Sequence, residues 1–385
     1  MMRLLDGYPG IALWRLGERL IGSLYFSVFT ATLATGILRS GMIAGIFAHA
    51  ARKLSEGGVP FTGRHVDVLV SSVLLLLLLA ALFVASRAHH RRALRKKGEE
   101  ILDRGHWAVV IRQFKRNRLA VVGLYIILLL YLVALFCPFY APHDPLEMGH
   151  KIRDRLLEPS AGHLLGTDKF ARDVFSRIVY GSRISLLVGF LAVGMAVGIG
   201  TIYGAIAGYY GRWVESIMMR FVDMLLSFPT LVLIITIIAI FRKQSIWVII
   251  GVIGLVSWTP VARLVRGEFL ILKELEYYQG ARALGAGPVR LIGRHLLPNA
   301  LTPIIVSATL RVGTTILVEA ALSFLGLGVQ PPTPSWGNIV LDSRENIFSE
   351  PWIPLSAGLA IVITVVGYNL LGDGLRDALD PRLRD

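Results

Sequence analysis

The chain has 385 residues, 54% hydrophobic and 17% charged, and a mean hydropathy of +0.62. Soluble domains carry roughly 25% charged residues, so water is not the main solvent of this protein. The net charge of +14 does not by itself indicate nucleic-acid binding, because membrane proteins also retain Lys and Arg in their cytoplasmic loops. Cys137 is the only cysteine, which excludes an intrachain disulfide and a Cys-based metal site.

Eight apolar runs predict an all-α polytopic membrane protein, because a helix needs about 20 residues to cross the hydrocarbon core. The first two runs, at 20–38 and 66–86, form a predicted hairpin within residues 1–90. The segment 41–51 is too short to span and is either an interfacial helix or an extension of the first run. The other six runs follow a basic linker and lie at 119–138, 184–208, 217–241, 247–265, 300–326 and 354–375.

The basic linker at 91–118 sets the predicted orientation, because clustered Lys and Arg beside a span remain in the cytoplasm. Threading the domain 119–385 from that side places 209–216, 267–299 and the tail inside. The segments 139–183, 242–246 and 327–353 are then outside. The first hairpin stays unassigned, since its connecting loop is as basic as the N-terminal arm.

Small residues in the fourth run predict close helix packing, because glycines at four-residue spacing let helix backbones approach. The two rows are Gly194 with Gly198, and Gly200, Gly204 and Gly208. In the fifth run, Arg220 and Asp223 stand three residues apart and are predicted to pair on one helix face.

Two charged residues, Arg311 and Glu319, fall inside the seventh run. A charge within hydrocarbon is costly and faces a bundle interior, a water-filled cavity or a partner. Eight residues on one helix separate the two by about 12 Å, which is too far for direct contact. Each residue therefore either lines a transport pathway or bonds to a neighbouring helix.

The predicted cytoplasmic segment from Glu274 to Pro303 has clear helix signals. A short helix over 276–284 is followed by a turn at Gly285 and Gly287, and Pro288 suits the first turn of a second helix. Pro298 is predicted to end that helix. On periodicity alone, an amphipathic helix lying at the lipid headgroups is equally compatible.

Three motifs of the chain resemble those of ABC-importer permeases, specifically the dipeptide, oligopeptide and nickel branch, and the "C"-type member of its permease pair. The cytoplasmic EYYQGARALGAG and RHLLPN resemble the "EAA" loop of that family. HLLGTDKFARDVFSRIVYGSRISL resembles its outer-loop signature, although Ala171 replaces the usual Gly. VEAALSFLGLGVQPPTPSWGNIV resembles a third family motif. The similarity begins near residue 105, and the first 90 residues have no such counterpart.

The resemblance implies a six-helix type I permease core behind an added N-terminal two-helix hairpin, in a bacterial inner membrane. It implies a non-catalytic chain without a cofactor of its own, a second homologous permease, and an extracytoplasmic solute-binding protein. Two separate ATP-binding subunits would carry ATP and Mg²⁺ and dock on the loop 267–299. The residues implied in that coupling are Glu276, Gln279, Gly280, Ala281, Arg282, Gly285, Arg294 and Pro298.

The outer-loop motif contributes a second set of candidates, Gly166, Asp168, Arg172 and Asp173. These residues are predicted to dock a partner or line the pathway on the outer side. Their charges are equally compatible with ordinary solvated loop residues, because they lack the activating base of a catalytic site.

Two other functional classes are compatible with parts of the sequence. An ion-coupled secondary transporter or channel would work without ATPase subunits and would need Asp, Glu or His within its helices. A nucleic-acid-binding membrane protein would use the basic cluster between Arg87 and Arg118, but positive-inside topology already accounts for that cluster. The sequence has no GxxxxGK[ST], HExxH or GxSxG motif, so an ATPase must be a partner. The transported solute is not specified.

Overall fold

In the computed structural model, the described residues are 19–38, 40–46, 63–97, 106–149, 152–241 and 245–379. Within these ranges the regular secondary structure is helical, apart from an isolated bridge that joins Thr167 to Asp173. The first helices are α1 (Arg19–Leu38), α2 (Gly63–Lys97), α3 (His106–Arg116) and α4 (Arg118–Leu135). The central helices are α5 (Val174–Tyr210), α6 (Arg212–Leu226), α7 (Thr230–Ile240), α8 (Ile246–Val256) and α9 (Thr259–Lys273). The last helices are α10 (Glu276–Ala283), α11 (Leu297–Phe324), α12 (Trp336–Asp342) and α13 (Trp352–Leu379).

Six helical stretches in the described residues are long and apolar enough to cross a membrane. Two bent helix pairs raise the number to eight if each pair makes one span. One pair joins Phe26–Ile37 to Ser40–Ile46 at 45°, so the short apolar segment after the first run is in part a helix. The prediction of an all-α polytopic membrane protein is confirmed.

The fifth apolar run is not the single straight span that the sequence predicted. It is divided into α6 and α7, which meet at an angle of 82°. Pro229 explains the break, because its ring clashes with the preceding turn and it has no N–H for the helix ladder. Helix α6 ends at Leu226, and the Ser227 backbone N–H bonds to the Asp223 carbonyl at 3.0 Å.

Helix α5 lies at the centre of the bundle and contacts α4, α8, α9 and α11. Its glycines at 200, 204 and 208 lie against α9, where added side chains would collide with that helix. A Cβ atom at Gly204 would lie 2.4 Å from the Ala262 carbonyl oxygen. The packing prediction is confirmed for this row. It is wrong within the described part of this chain for Gly194 and Gly198, since a Cβ atom at either would meet none of those residues within 4 Å.

Contacts between loops agree with the predicted sides of the membrane. On the predicted inner side, Lys273 Nζ donates to the Gly208 and Tyr209 carbonyls at 3.1 and 2.9 Å. On the predicted outer side, the Arg172 guanidinium binds Asp342 at 2.8 Å. Each contact joins two segments that the charge distribution assigned to the same side.

The N-terminal hairpin packs on the outer end of α4 and the start of α5. Thr35 Oγ1 lies 2.6 Å from the Tyr140 hydroxyl, and Asp67 of α2 lies 3.1 Å from Arg183 of α5. An apolar cluster fills the space between the hairpin and the segment after α4, and it includes Ile46, Val68, Leu75, Phe136 and Phe139. The hairpin therefore adds a layer to one side of the six-helix core.

Candidate functional site

The predicted coupling segment begins with α10, a helix of two turns. Its end has the two hydrogen bonds of a Schellman motif, from Gly285 N–H to the Arg282 carbonyl at 3.0 Å and from Ala286 N–H to the Ala281 carbonyl at 3.2 Å. Gly285 has φ of +81°, a conformation that other residues adopt only with strain. The glycine thus provides the sharp turn that the sequence predicted.

One face of this segment is anchored in the protein and the opposite face is exposed. Tyr278 is buried with Phe269, Leu291 and Leu296 in one apolar cluster. In contrast, Leu284 is 90% exposed and Val289 is 87% exposed. The exposed side also contains most of the predicted coupling residues, namely Glu276, Gln279, Gly280, Arg282, Gly285, Arg294 and Pro298, whereas Ala281 is half-buried.

The sequence predicted that Pro298 ends the second helix, and this prediction is wrong. The turn at Pro288–Arg290 leads into a π-helical stretch, Leu291–Leu296, which continues into α11. Pro298 lies in the first turn of α11. In a first turn the missing proline N–H costs little, and the wider π turn before it shifts the hydrogen-bond register. Residues 288–324 therefore form one helical path from the exposed turn into the bundle.

The base of the coupling segment is joined to the bundle by polar contacts. Arg266 of α9 pairs with Glu215 of α6 through a hydrogen bond of 2.6 Å from its Nε. The Lys273 side chain donates to the last carbonyls of α5, where a cation also offsets the helix dipole. These contacts link α9, which leads into α10, to α6 and to the end of α5.

The charged residues of the outer motif are buried rather than solvated. Arg172 contacts Asp168 at 2.7 Å and Asp342 of α12 at 2.8 Å. Arg177, which the sequence reasoning did not select, lies 3.5 Å from Asp168 and 3.4 Å from Asp342. Two buried arginines thus share two carboxylates between the start of α5 and α12, and the partly exposed Lys169 adds a longer contact of 3.9 Å to Asp342. The four-residue spacing from Asp173 to Arg177 gave no signal for these contacts, because Arg177 pairs with Asp168 and with the distant Asp342 instead.

The remaining motif residues shape the backbone around this network. Asp173 caps α5 by accepting from the Ser176 N–H at 2.8 Å, and it accepts from His163 at 2.9 Å. Gly166 has φ of +70°, and a Cβ atom there would lie 2.1 Å from the Leu157 carbonyl oxygen. Ala171 has φ of +60°, a conformation that is strained for alanine and would suit the glycine of the motif that this stretch resembles. The motif builds a rigid outer loop.

Glu319 is completely buried and bonds to serines. It accepts from Ser185 Oγ at 3.2 Å and from Ser323 Oγ at 2.8 Å. Ser185 Oγ also lies 3.3 Å from the Trp336 N–H at the start of α12, and Ser323 Oγ lies 3.2 Å from the Val329 N–H. Of the two readings open from the sequence, this geometry favours the bond to neighbouring elements.

The third motif packs the segment 325–335 and α12 tightly onto α11. A Cβ atom at Gly328 would lie 1.9 Å from Ser323 Oγ, and one at Gly337 would lie 2.6 Å from Ser323 Cβ. Ser335 and Asn338 form a reciprocal capping box at the start of α12. The small and capping residues of this motif therefore pack α12 closely against α11.

Arg311 faces a cavity instead of a carboxylate. Its Nε donates to Ser307 Oγ at 3.2 Å, and among the described residues no carboxylate lies within ion-pair distance of it. It lines a cavity of about 890 Å³ together with Glu268, Arg376 and residues of α9, α11 and α13. It also borders a second cavity of about 160 Å³ lined by Thr230, Thr259 and Thr315.

The predicted pair on α6 is wrong. Asp223 binds Arg263 of α9 at 2.6 Å, because α6 lies across α9 and the facing helix offers the nearer cation. Both side chains are more than half exposed, so this pair contributes roughly 0–1 kcal/mol.

Comparisons with known proteins support the resemblance noted in the sequence. Residues 200–385 match the family described as binding-protein-dependent transport system inner membrane component, and residues 105–159 match the N-terminal TM domain of oligopeptide transport permease C. The dipeptide transport system permease protein DppC of Alkalihalophilus pseudofirmus is 47% identical over 278 residues, covering 72% of this chain and 90% of the relative. This chain belongs to the permease family of binding-protein-dependent ABC importers.

Two further relatives show the breadth of the family. The glutathione transport system permease protein GsiD of Pectobacterium atrosepticum is 42% identical, covering 72% of this chain and 92% of the relative. DppC of Bacillus subtilis is 42% identical, covering 71% and 85%. The chain is therefore a multi-pass protein of the bacterial inner membrane and a permease component of the peptide-transport type.

Proposed function

We propose that this permease forms half of an ATP-driven import pathway for peptides or related small solutes, beside a homologous second permease. Two partner subunits would bind ATP and Mg²⁺ and act on the loop 267–299, and an extracytoplasmic binding protein would deliver the solute. The relatives named for dipeptide and glutathione transport support the solute class. Helix connectivity from the coupling turn into α11 supports the transmission of movement.

The observation that carries the proposal is the exposed apolar tip of the coupling segment. Leu284 and Val289 would face water on the cytoplasmic side, while Tyr278 and its cluster hold the helix base in place. A short helix presenting apolar side chains from a fixed base suits a helix-in-groove contact with another subunit. Such a tip needs a partner surface to cover it. An ATPase-coupled importer supplies that surface on its ATP-binding subunit, whereas an ion-coupled transporter that works alone does not.

Copurification tests the coupling proposal. A charge in a buried apolar contact is strongly unfavourable, so Leu284→Glu is expected to lose most of the bound ATPase subunit and solute uptake. Phe348→Glu is the matched control, because Phe348 is 98% exposed on the predicted outer side. It should leave ATPase copurification unchanged. Full uptake by the chain in proteoliposomes without any ATPase would contradict the proposal.

The cavity at Arg311 supports a pathway for solutes with both charges. A peptide has a terminal carboxylate and a terminal ammonium group, and the cavity wall includes Arg311 and Glu268. An arginine without a protein carboxylate can bind a carboxylate with two parallel hydrogen bonds. We propose that Arg311 holds the carboxylate end of the solute during passage.

Paired substrates test the role of Arg311. The wild type should take up a dipeptide faster than its C-terminal amide, and Arg311→Gln should reduce that preference by about 10-fold or more, which corresponds to loss of a charge-assisted hydrogen bond. Arg311→Lys should retain part of the preference. Arg263→Gln is the control, since Arg263 binds Asp223 outside the cavity. An unchanged preference in Arg311→Gln would refute this role without affecting the coupling proposal.

A further inference from the structure

Three side chains with metal-binding atoms converge on the predicted outer side, away from the cavity and the coupling segment. They are His143 from the loop after α4, His163 from the loop before α5, and Asp173 at the start of α5. One ligand atom from each lies within 4.8 Å of the others. Asp173 Oδ1 lies 2.9 Å from His163 Nδ1 and 3.6 Å from His143 Nδ1.

The position of His143 is not explained by hydrogen bonding. Its Nδ1 is buried and has no hydrogen-bond partner in the described part of the chain, although 39% of its side chain is exposed. The His143 backbone N–H donates to Ser176 Oγ at 3.0 Å, which fixes the loop beside α5. The two imidazole rings lie 4.6 Å apart at 30°. The inner edge of His143 is therefore directed at the Asp173 carboxylate without bonding to it.

We propose that His143, His163 and Asp173 form a binding site for a divalent transition-metal ion of the Zn²⁺ type. Two imidazoles and one carboxylate are a common ligand set for such ions, with bonds of about 2.0–2.2 Å. Tetrahedral bonds of that length separate ligand atoms by roughly 3.3–3.5 Å. The present separations of 2.9 and 3.6 Å lie on either side of that value, and all three atoms lie within 4.8 Å of one another, so side-chain rotation without backbone movement is expected to complete the site.

The surroundings of the cluster also suit an ion. Asp173 Oδ2 accepts from the Ser176 N–H at 2.8 Å, which orients the carboxylate and leaves Oδ1 for the metal. Both histidine side chains are partly exposed, so an ion can enter and water can complete its coordination. Nitrogen ligands select transition ions over Mg²⁺ and Ca²⁺, which prefer oxygen.

A bound ion would connect the loop after α4 to the N-terminus of α5. A hydrogen bond between His163 and Asp173 alone accounts for two members of the cluster but leaves His143 Nδ1 without a role. The metal accounts for all three. Because a ligand that binds only the folded state stabilises it, Zn²⁺ should raise the thermal midpoint of the permease.

Zn²⁺ binding to the tag-free, full-length permease in detergent tests the site. The wild type should bind one Zn²⁺. His143→Ala and His163→Ala should each bind it with an affinity at least about 10-fold weaker, since the loss of even an outer-shell partner weakens metal binding about 10–100-fold. X-ray absorption at the zinc edge should show two imidazole ligands in the wild type. His295→Ala and a His89→Ala, His90→Ala double variant control for histidines outside the cluster and should retain the ion.

Folding is controlled separately from binding. His143→Ala keeps the backbone bond to Ser176, so its thermal midpoint in the presence of a chelator should equal that of the wild type. Added Zn²⁺ should then raise the midpoint of the wild type but not of His143→Ala. Retention of one Zn²⁺ with wild-type affinity in His143→Ala, or its loss in the histidine controls, would overturn the proposal.

Discussion

Replacement of Asp168 by Asn should destabilise the permease strongly, because it unbalances the buried network of the outer loop. The side chains of Arg172 and Arg177 are each 2% exposed, and they share Asp168 and Asp342. Asp168→Asn leaves two buried cations with one carboxylate. Removal of one partner from a buried ion pair costs about 3–5 kcal/mol, because the remaining charge is neither solvated nor neutralised.

The only cysteine gives a direct assay for this loss. Cys137 is fully buried beside α4, and its burial raises the pKa of the thiol to about 12. A maleimide dye that fluoresces on thiol reaction therefore reports unfolding on heating. At about 2 °C per kcal/mol for a large domain, Asp168→Asn should lower the thermal midpoint by about 6–10 °C.

Asp223→Asn is the matched control for the same chemical change at an exposed pair. Asp223 and Arg263 are 62% and 54% exposed, so their separation should cost about 1 kcal/mol or less and shift the midpoint by at most about 2 °C. Adding Arg177→Met to Asp168→Asn restores charge balance and should recover part of the loss. Equal midpoints for the two single variants, or simple additivity in the double variant, would refute the reasoning from buried charge.

Three further results are expected. Glu319→Gln retains polar contact with its two serines and should keep at least about half of the uptake. Glu319→Leu leaves the buried hydroxyls unpaired and should lower the free energy of unfolding in the dye assay by about 1–3 kcal/mol. Complete loss of uptake in a stable Glu319→Gln protein would instead indicate a pathway role. In Gly280→Ala the added Cβ atom meets nothing within 4 Å, and the variant should stabilise α10 by up to about 1 kcal/mol. Gly285→Ala places alanine at a φ of +81°, which costs about 1–2 kcal/mol and should weaken ATPase copurification. A stable Gly285→Ala and a destabilised Gly280→Ala would contradict the turn geometry. The raised pKa keeps Cys137 a neutral thiol below about pH 12, so dye labelling of the folded protein should stay slow from pH 7 to pH 10. Labelling as fast as in the unfolded chain would show that the thiol is accessible.

The helices were predictable from the sequence because their signals are local. Run length, glycine spacing and the turn at Gly285 each depend on neighbouring residues, and the structure contains them except at the fifth run, which bends by 82°, and at Gly194 and Gly198, which pack against no described helix. Partners between distant segments were not predictable. Asp223 pairs with Arg263 instead of Arg220, and Asp168 shares its arginines with Asp342, because helix packing decides which charges meet. The prediction for Pro298 was wrong because the sequence does not show which backbone groups pair. A proline in the first turn of a helix and a proline after its last turn give the same sequence signal.

The two intramembrane charges of α11 have different surroundings because they lie on different faces of one helix. Eight residues at about 100° each place Arg311 and Glu319 roughly 80° apart around the axis. The face of Arg311 continues through Pro303, Ser307 and Thr314, all of which line the large cavity. The other face contains buried residues that pack within the bundle, namely Val312, Ile316, Glu319 and Ser323. A carboxylate on the packed face must find hydroxyl donors, and an arginine on the open face stays available to a solute. Once the buried face of α11 is known, the helical repeat therefore assigns Glu319 to packing and leaves Arg311 as the pathway candidate.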